Sequence, residues 1–494
     1  MEEISKKSCF LRLKEALIND EERFLIDKSG YYTQKESFDI YCGYLNQLSH
    51  FIKDNGVCLL APFIKKETPL IIAAIISLGG IVIIGDPKMT RKTFVEQISD
   101  AVSVDLLISY KNDTWCVKYK EQWFDILTKR DSLKASPLLE AKKDKPSFYF
   151  LTSGSTGDNK IVALSEYSFL NHLVRQKSDA GCIEGTSYFC LPLHHIFGCG
   201  VLLQNLITGH KIYISDTRNY SFALEAIEKY RCTSIANVPT FFYMLIEEYK
   251  KCPHDISSLK YGVMAGGAYS AEQFAYVENS LNITLCSSYG MTEASTVIAN
   301  SPISEPFLER HEGVGKPFPG VDVIFDDEGK VNMSRGEICF KGYNLMLGYV
   351  SKDGLYLPTD KNGYFHTGDI GEVDKRGVVH IVGRKKNIII RGGENLSPSL
   401  IEQKIMSIPL VKDVCVTGLD DEIYGDIVAA YIVCDNNQEN ISFIKDSLKE
   451  ILIKRELPSV LIFANQIPLL SSGKHDNQTI KKLLLKEKEN NGSA

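Results

Sequence analysis

Residues 68–85 read TPLIIAAIISLGGIVIIG and carry no charged side chain. Eighteen such residues sit at the threshold for a membrane span, yet the pattern breaks in the middle. Gly79-Gly80 separates an apolar helical stretch, 70–78, from a β-branched run, Ile81 to Ile84. A glycine after the last helical residue, followed at once by Ile-Val-Ile-Ile, predicts a buried helix–turn–strand unit rather than a span. Outward from this unit the same alternation continues. Short apolar runs at 57–60, 104–108, 148–151, 211–214, 234–236 and 261–264 are separated by longer helical stretches such as 241–249. Strands alternating with helices predict an α/β fold with mostly parallel, helix-covered sheets.

The texture changes after about residue 313. Runs at 321–325, 336–341 and 378–382, broken by Gly, Asp and Asn, predict a β-rich subdomain. A third texture starts near Asn387, with strands near 388–390, 414–417 and 428–433 and helices near 399–407 and 442–454. Residues 486–494 are polar and expected to fray. At 494 residues the chain has length for roughly three domain-sized units. Its charge, 56 basic against 62 acidic residues, gives −6 and no electrostatic reason to bind nucleic acid. The thirteen cysteines are scattered with no CxxC pair. That pattern fits reduced thiols in a cytoplasmic protein better than a zinc module or a disulfide scaffold. The start, MEEISKKSCF, has no signal-peptide pattern.

Four loops carry chemistry. Residues 148–160, FYFLTSGSTGDNK, run an apolar strand into hydroxyls and glycines ending in Lys160. Glycines let backbone N–H groups approach phosphate oxygens, while hydroxyls and lysine add donors and charge. Neither GxxxxGK[ST] nor GxSxG is met, so this is no Walker loop and no nucleophile elbow. In the second, Ser287-Ser288-Tyr289-Gly290-Met291-Thr292-Glu293, an aromatic ring, a hydroxyl and a carboxylate directly follow the apolar run 283–286. Tyr can stack on a base, and Glu is a hard oxygen ligand for Mg²⁺. Thr367-Gly368-Asp369 and, shortly after, Gly383-Arg384-Lys385-Lys386 offer a carboxylate for a vicinal diol and a guanidinium for ribose or phosphate oxygens. The last, Pro468-Leu469-Leu470-Ser471-Ser472-Gly473-Lys474, ends a polar loop on a cation. Read singly, each is also what an ordinary turn looks like.

Together, in this order, the loops resemble the adenylate-forming superfamily of acyl-CoA synthetases, peptide-synthetase adenylation domains and luciferases. The likeness runs from about Phe148 to Lys474 and looks closest to acyl-CoA synthetases. Leu191-Pro192-Leu193-His194-His195-Ile196-Phe197-Gly198, Ala265-Gly266-Gly267-Ala268, Gly336-Glu337-Ile338 with Met346-Leu347-Gly348-Tyr349, and Gly392-Gly393-Glu394-Asn395 with Pro398, Ile401 and Glu402 agree with it. The resemblance implies an ATP-binding set: Thr152, Ser153, Gly154, Ser155, Thr156, Gly157 and Lys160 on the β- and γ-phosphates, Gly266, Gly267 and Ala268 along the adenine edge, and Tyr289 and Gly290 stacking. Thr292 falls on the α-phosphate, Glu293 on Mg²⁺, and Asp369 and Arg384 on the ribose.

Lys474 is implied as the catalytic lysine between substrate carboxylate and α-phosphate, with Thr292, Glu293 and His195 beside it. Lys386 is implied as the hinge between an N-terminal AMP-binding domain, 1–385, and a small mobile α+β C-terminal domain, 386–494. The implied activity is an ATP-dependent carboxylic acid–CoA ligase; the alternative is an adenylating enzyme that loads a carrier-protein phosphopantetheine. A fatty, aromatic or small organic acid is left open as the substrate. An α-amino acid is disfavoured because His194-His195 stands where amino-acid-activating members carry an aspartate. Three departures stand out, one of them Lys386 where the family frequently carries a hinge aspartate. Asp158-Asn159-Lys160-Ile161 lacks the proline and glycine usual around that lysine, and Leu469 and Asn477 replace basic residues near Lys474. A zinc site from Cys190, His194, His195 and Cys199 is possible on ligand type alone.

Overall fold

The computed structural model describes residues 5–19, 21–153, 159–179, 185–267, 269, 271–327, 329–332, 334–470 and 475–492. The 68–85 stretch folds as helix Thr68–Ser77, a glycine turn and strand Ile81–Ile84. All ten helical residues are buried. Pro69 sits in the first turn, where its missing N–H costs nothing. Gly79 reverses the chain at φ +84°, and a Cβ there would lie 2.7 Å from Asp54 Oδ1 and 3.1 Å from Lys142 Nζ, so only glycine fits. Among the described residues no helix is long and apolar enough to cross a membrane.

This helix is apolar on every side because it lies within the cluster shared by two large sheets. The first runs in the order Gly30–Thr33, Arg23–Asp27, Lys211–Ile214, Thr186–Phe189, Cys232–Asn237, Tyr261–Ala265, Thr284–Met291, Thr296–Ser301, Lys316–Pro317. It is parallel from Arg23–Asp27 through Thr284–Met291 and antiparallel at both edges. The second runs Gln122–Ile126, Thr114–Tyr119, Leu106–Lys111, Val57–Leu60, Ile81–Ile84, Pro146–Ser153, Asn159–Ser165, Gly348–Ser351, Gly354–Tyr356. Here only Leu106–Lys111 through Pro146–Ser153 are parallel, with hairpins on either side. One apolar cluster draws Phe189, Ile212 and Ile214 from the first sheet and Leu60, Val82 and Phe148 from the second around Leu70 and Ile72.

A five-stranded antiparallel sheet follows: Lys330–Asn332, Val321–Asp327, Arg335–Gly342, Phe365–Val373, Val379–Arg384. This is the expected β-rich region. After the short turn Lys385–Asn387 comes a last sheet built on Asp413–Asp421 and Gly425–Val433, with helices Pro398–Met406 and Gln438–Ile451 and its own apolar clusters. The C-terminus departs from the expected fraying. Asn477–Gly492 is one helix, because Ile480 and Leu484 are buried against the sheet and Lys488 Nζ donates to the Asp420 carbonyl at 2.6 Å.

Candidate active site

Parallel strands present their carboxyl ends along one edge, where the chain must loop away and side chains converge. Strand Thr284–Met291 delivers Tyr289 and, in the turn Thr292–Ala294, Thr292 and Glu293. Gly290 is there for space. A Cβ would collide with the Thr296 carbonyl oxygen and lie 2.6 Å from its carbon, because the chain doubles back through Ser295 (φ +52°) and Thr296 (φ +114°).

Strand Phe365–Val373 pairs Asp369 opposite Arg384 of Val379–Arg384. The Tyr289 hydroxyl donates to Asp369 Oδ2 at 2.7 Å, and Arg384 Nε donates to Oδ1 at 2.6 Å. Asp369 is buried. Burial, then the Asp369 carboxylate, hold the Tyr289 phenol well above its usual pKa. Burial works against the Arg384 charge, but Asp369 outweighs it and raises the guanidinium's pKa. Two elements distant in sequence thus converge on one carboxylate.

Behind them stands a group for which the sequence suggested no chemistry. Buried Glu337 accepts from the Gly368 N–H at 3.0 Å and from Lys385 Nζ at 2.9 Å, with His366 Nδ1 3.4 Å away. Burial pushes its pKa up, and Lys385 and His366 outweigh that and hold it low. Glu337 thereby fixes the Gly368 turn (φ +75°) that aims Asp369. Only the register between the two strands reveals this, since 31 residues separate the partners.

Glu293 is buried, and its Oε1 accepts from the Tyr349 hydroxyl at 2.8 Å. Tyr349 lies on Gly348–Ser351, which pairs with Asn159–Ser165, and its ring lies under Lys160 Nζ at 4.5 Å. Lys160 and Glu293 are thus brought to one aromatic ring. Thr152 faces Lys160 in the hairpin between Pro146–Ser153 and Asn159–Ser165. A Walker loop instead leads from strand into helix, so the hairpin agrees with that exclusion. The Ser153 side chain, Gly154, Ser155, Thr156, Gly157 and Ala268 lie outside the described residues. Gly266 and Gly267 are exposed just beyond strand Tyr261–Ala265, Gly266 at φ +80°.

His195 caps helix Ile196–Ile207, and its ring lies 4.1 Å from that of His194. His194 Nε2 faces Asp86 Oδ2 at 3.8 Å, which brings a carboxylate from beyond strand Ile81–Ile84 to the pair. Burial lowers the His194 pKa. The four zinc candidates do not converge: Cys199 packs in the cluster between the sheets and Cys190 in a different one. Among the described residues, metal-type donors gather only at Asp326, Glu337 and His366, where Lys385 already neutralises Glu337.

Lys474 lies outside the described residues, but the base of its loop does not. Leu469 bridges to His475, Asp476 N donates to Pro468 O at 2.9 Å, and His475 Nε2 meets Asp413 Oδ2 at 3.0 Å. Lys88, two residues after Asp86, donates to Leu469 O at 3.3 Å. The loop base therefore lies against the segment that faces His194. By contrast, the Arg391 guanidinium is occupied with the carbonyls of Arg455 and Leu457, at 2.8 and 3.2 Å. Lys386 is exposed in the turn between the last two sheets.

The sequence matches the family model of AMP-binding enzymes over residues 55–350 and that of the AMP-binding enzyme C-terminal domain over 400–474. It is 32% identical over 350 residues to the putative acyl-CoA synthetase YngI of Bacillus subtilis, covering 68% of this chain and 62% of that one. It is 33% identical over 331 residues to a 2-succinylbenzoate–CoA ligase of Staphylococcus aureus, covering 65% and 64%. The chain thus spans somewhat less than two thirds of these relatives. Its fold is similar to that of o-succinylbenzoate CoA synthetase (MenE) from Bacillus subtilis in complex with the acyl-adenylate intermediate OSB-AMP, with TM-score 0.80, 23% identity, and 96% and 98% of the two chains covered. ATP-bound MatB from Rhodopseudomonas palustris gives TM-score 0.84 at 22% identity, with 97% and 99% covered.

Proposed function

Because the chain belongs to the AMP-binding enzyme family, we propose that it is an ATP-dependent carboxylic acid–CoA ligase. On this reading a carboxylate oxygen attacks the α-phosphorus of ATP, giving acyl-AMP and releasing pyrophosphate. A thiolate then attacks the acyl carbon, giving the thioester and AMP. The observation that carries the reading is the convergence of Tyr289 and Arg384 on buried Asp369, beside Glu293 and its partner Tyr349. Asp369 keeps lone pairs for a ribose diol, and the Tyr289 ring offers a face to adenine. Gly266, Gly267 and Ala268 would run along the base edge. Thr152, Ser153, Gly154, Ser155, Thr156, Gly157 and Lys160 would hold the outer phosphates, and Thr292 the α-phosphate.

The donor set also fits Mg²⁺, a hard cation that prefers carboxylate oxygen, with Glu293 as its protein ligand. When bound, the ion neutralises phosphate charge. Lys474 would counter the charge that gathers as one anion attacks another, the main electrostatic obstacle to the first half-reaction. His195 would stand beside the substrate carboxylate. We place the domain boundary at Lys386, so that 386–494 swings between the half-reactions over 1–385. The anchoring of the 469–475 loop base to Lys88, while Arg391 is occupied elsewhere, supports an adenylation-competent arrangement. The twelve described cysteines form no disulfide, which fits a reducing cytoplasm. Coenzyme A is the acceptor we favour, the alternative being the same phosphopantetheine arm on an acyl or peptidyl carrier protein. The test is ATP–pyrophosphate exchange over a panel of carboxylic acids, followed by thioester formation with CoA or a carrier. Absence of exchange with every acid refutes the reading, and strong exchange with an α-amino acid overturns the assignment of His194-His195.

A further inference from the structure

The turn that carries Thr292 and Glu293 leads straight into strained backbone. The chain passes through Ser295 at φ +52° and Thr296 at φ +114°, a region that a β-branched residue rarely adopts. Such a bend persists only where its surroundings impose it. Most of that constraint comes from one short segment, 344–349, which leads into strand Gly348–Ser351. Asn344 is fully buried, and its Nδ2 donates to Ala294 O at 3.0 Å and to Val297 O at 3.2 Å, one carbonyl on either side of the bend. Met346 N donates to Glu293 O at 2.9 Å, while the Tyr349 hydroxyl holds the carboxylate of the same residue. Leu347 N donates to Ala163 O at 2.9 Å and ties the segment to the strand that carries Lys160. From the other side, buried His172 accepts from Val297 N through Nε2 at 3.2 Å.

Both partners of the Asn344 amide are carbonyls, so its NH₂ has to face them. Its Oδ1 is buried and meets no donor among the described residues. A leucine would fill a similar volume and leave no buried acceptor idle, so what asparagine contributes here is its pair of donors. Without those donors Ser295 and Thr296 are free to relax toward negative φ, and the turn before them rotates. We infer that Asn344 is a positioning residue for the metal ligand: by bridging the Ala294 and Val297 carbonyls it keeps the bend closed, and so holds the Glu293 carboxylate in place for Mg²⁺. The inference rests on the ligase reading for the role of Glu293, and adds to it a residue that acts through Glu293.

The test is isothermal titration with ATP, in excess Mg²⁺ and in EDTA, on the full chain and its Asn344→Leu, Asn344→Ser and Glu293→Gln variants. Loss of a group that orients a metal ligand typically costs 10–100-fold in metal affinity, and with Tyr349 still in place about 10-fold is expected. Asn344→Leu is therefore expected to weaken ATP binding by that factor in Mg²⁺. In EDTA it should stay within about twofold of wild type, because Tyr289, Asp369 and Arg384 are untouched. Asn344→Ser keeps one donor and is expected to lose less. Added to Glu293→Gln, Asn344→Leu should cost less than about twofold more, since two residues that act through one carboxylate are not additive. Equal weakening in Mg²⁺ and EDTA, no weakening in either, or fully additive losses in the double variant overturns the inference. If Asn344→Leu does not fold, Asn344→Ser decides by the same two titrations and the same cycle. If wild type binds ATP no better with Mg²⁺, the assignment of Glu293 falls and the inference with it. That result is distinct from failure of the inference alone, in which wild type gains from Mg²⁺ and the Asn344 variants keep the gain.

Discussion

Replacing Asp369 by Asn isolates the proposed ribose contact. The carboxylate offers about four lone-pair sites. Tyr289 occupies one on Oδ2 and Arg384 one on Oδ1, which leaves one on each oxygen, the number a vicinal diol needs. Arg384 can only donate, so the introduced amide has to keep its oxygen toward Arg384 and turn its NH₂ toward Tyr289, whose hydroxyl can accept. One acceptor site for the diol then becomes a donor, and the other loses its charge assistance. A lost charge-assisted bond is worth about 1.5–3 kcal/mol and the weakened one about 1 kcal/mol more, hence about 3 kcal/mol in all, or roughly 100-fold or more in Kd. The Arg384 side chain is half exposed, so loss of its ion pair costs the fold only about 1 kcal/mol. Isothermal titration with ATP and with 2′,3′-dideoxy-ATP, on both proteins, closes a cycle. The Asp369→Asn penalty is expected for ATP and largely absent for the dideoxy analogue. An equal penalty for both nucleotides refutes the argument, since the residue would then act by holding Tyr289 and Arg384 rather than by binding the diol.

Gly290→Ala forces a methyl into the Thr296 backbone, and urea denaturation is expected to record a loss of about 3 kcal/mol, the upper end for overpacking; a change under about 0.5 kcal/mol would show that the hairpin yields freely. Glu166 is fully buried and accepts from the backbone of Cys9 and Lys142, and burial pushes its pKa up to about 7. Its folded pKa exceeds the unfolded value, so its contribution is complete below about pH 4.5 and is lost as pH rises through 7. Glu166→Gln should therefore gain on wild type by about 3 kcal/mol between pH 4.5 and 8 in denaturation measured across that range, and a constant difference contradicts the assignment. Lys474→Ala is expected to cut pyrophosphate exchange by at least about 100-fold while largely sparing thioester formation from supplied acyl-AMP, and equal loss in both half-reactions counts against a domain swing.

How far the chain could be read depended on how local the information was. The Gly79 break, the alternation of apolar runs and the collinear loops are written within a few residues each. Helix Thr68–Ser77 and strands Val57–Leu60 and Lys211–Ile214 therefore fall where the sequence puts them. Edge hairpins such as Thr114–Tyr119 with Gln122–Ile126 escaped, because four of the five residues of Gln122–Ile126 are exposed and carry no apolar alternation. The terminal helix escaped for a related reason. Its last turns are polar, and a tertiary bond from Lys488 to Asp420 ties them down.

Sequence alone decided the α/β class, the helix–turn–strand reading of residues 68–85 and the family of the chain, because side-chain periodicity and loop composition are properties of neighbouring residues. It also named Tyr289, Glu293, Asp369 and Arg384 as chemical groups. Only the tertiary structure decided which groups act together. Tyr289 and Asp369 are 80 residues apart yet share a hydrogen bond, Glu337 steers Asp369 through strand register, and Tyr349 ties Lys160 to Glu293 across two sheets.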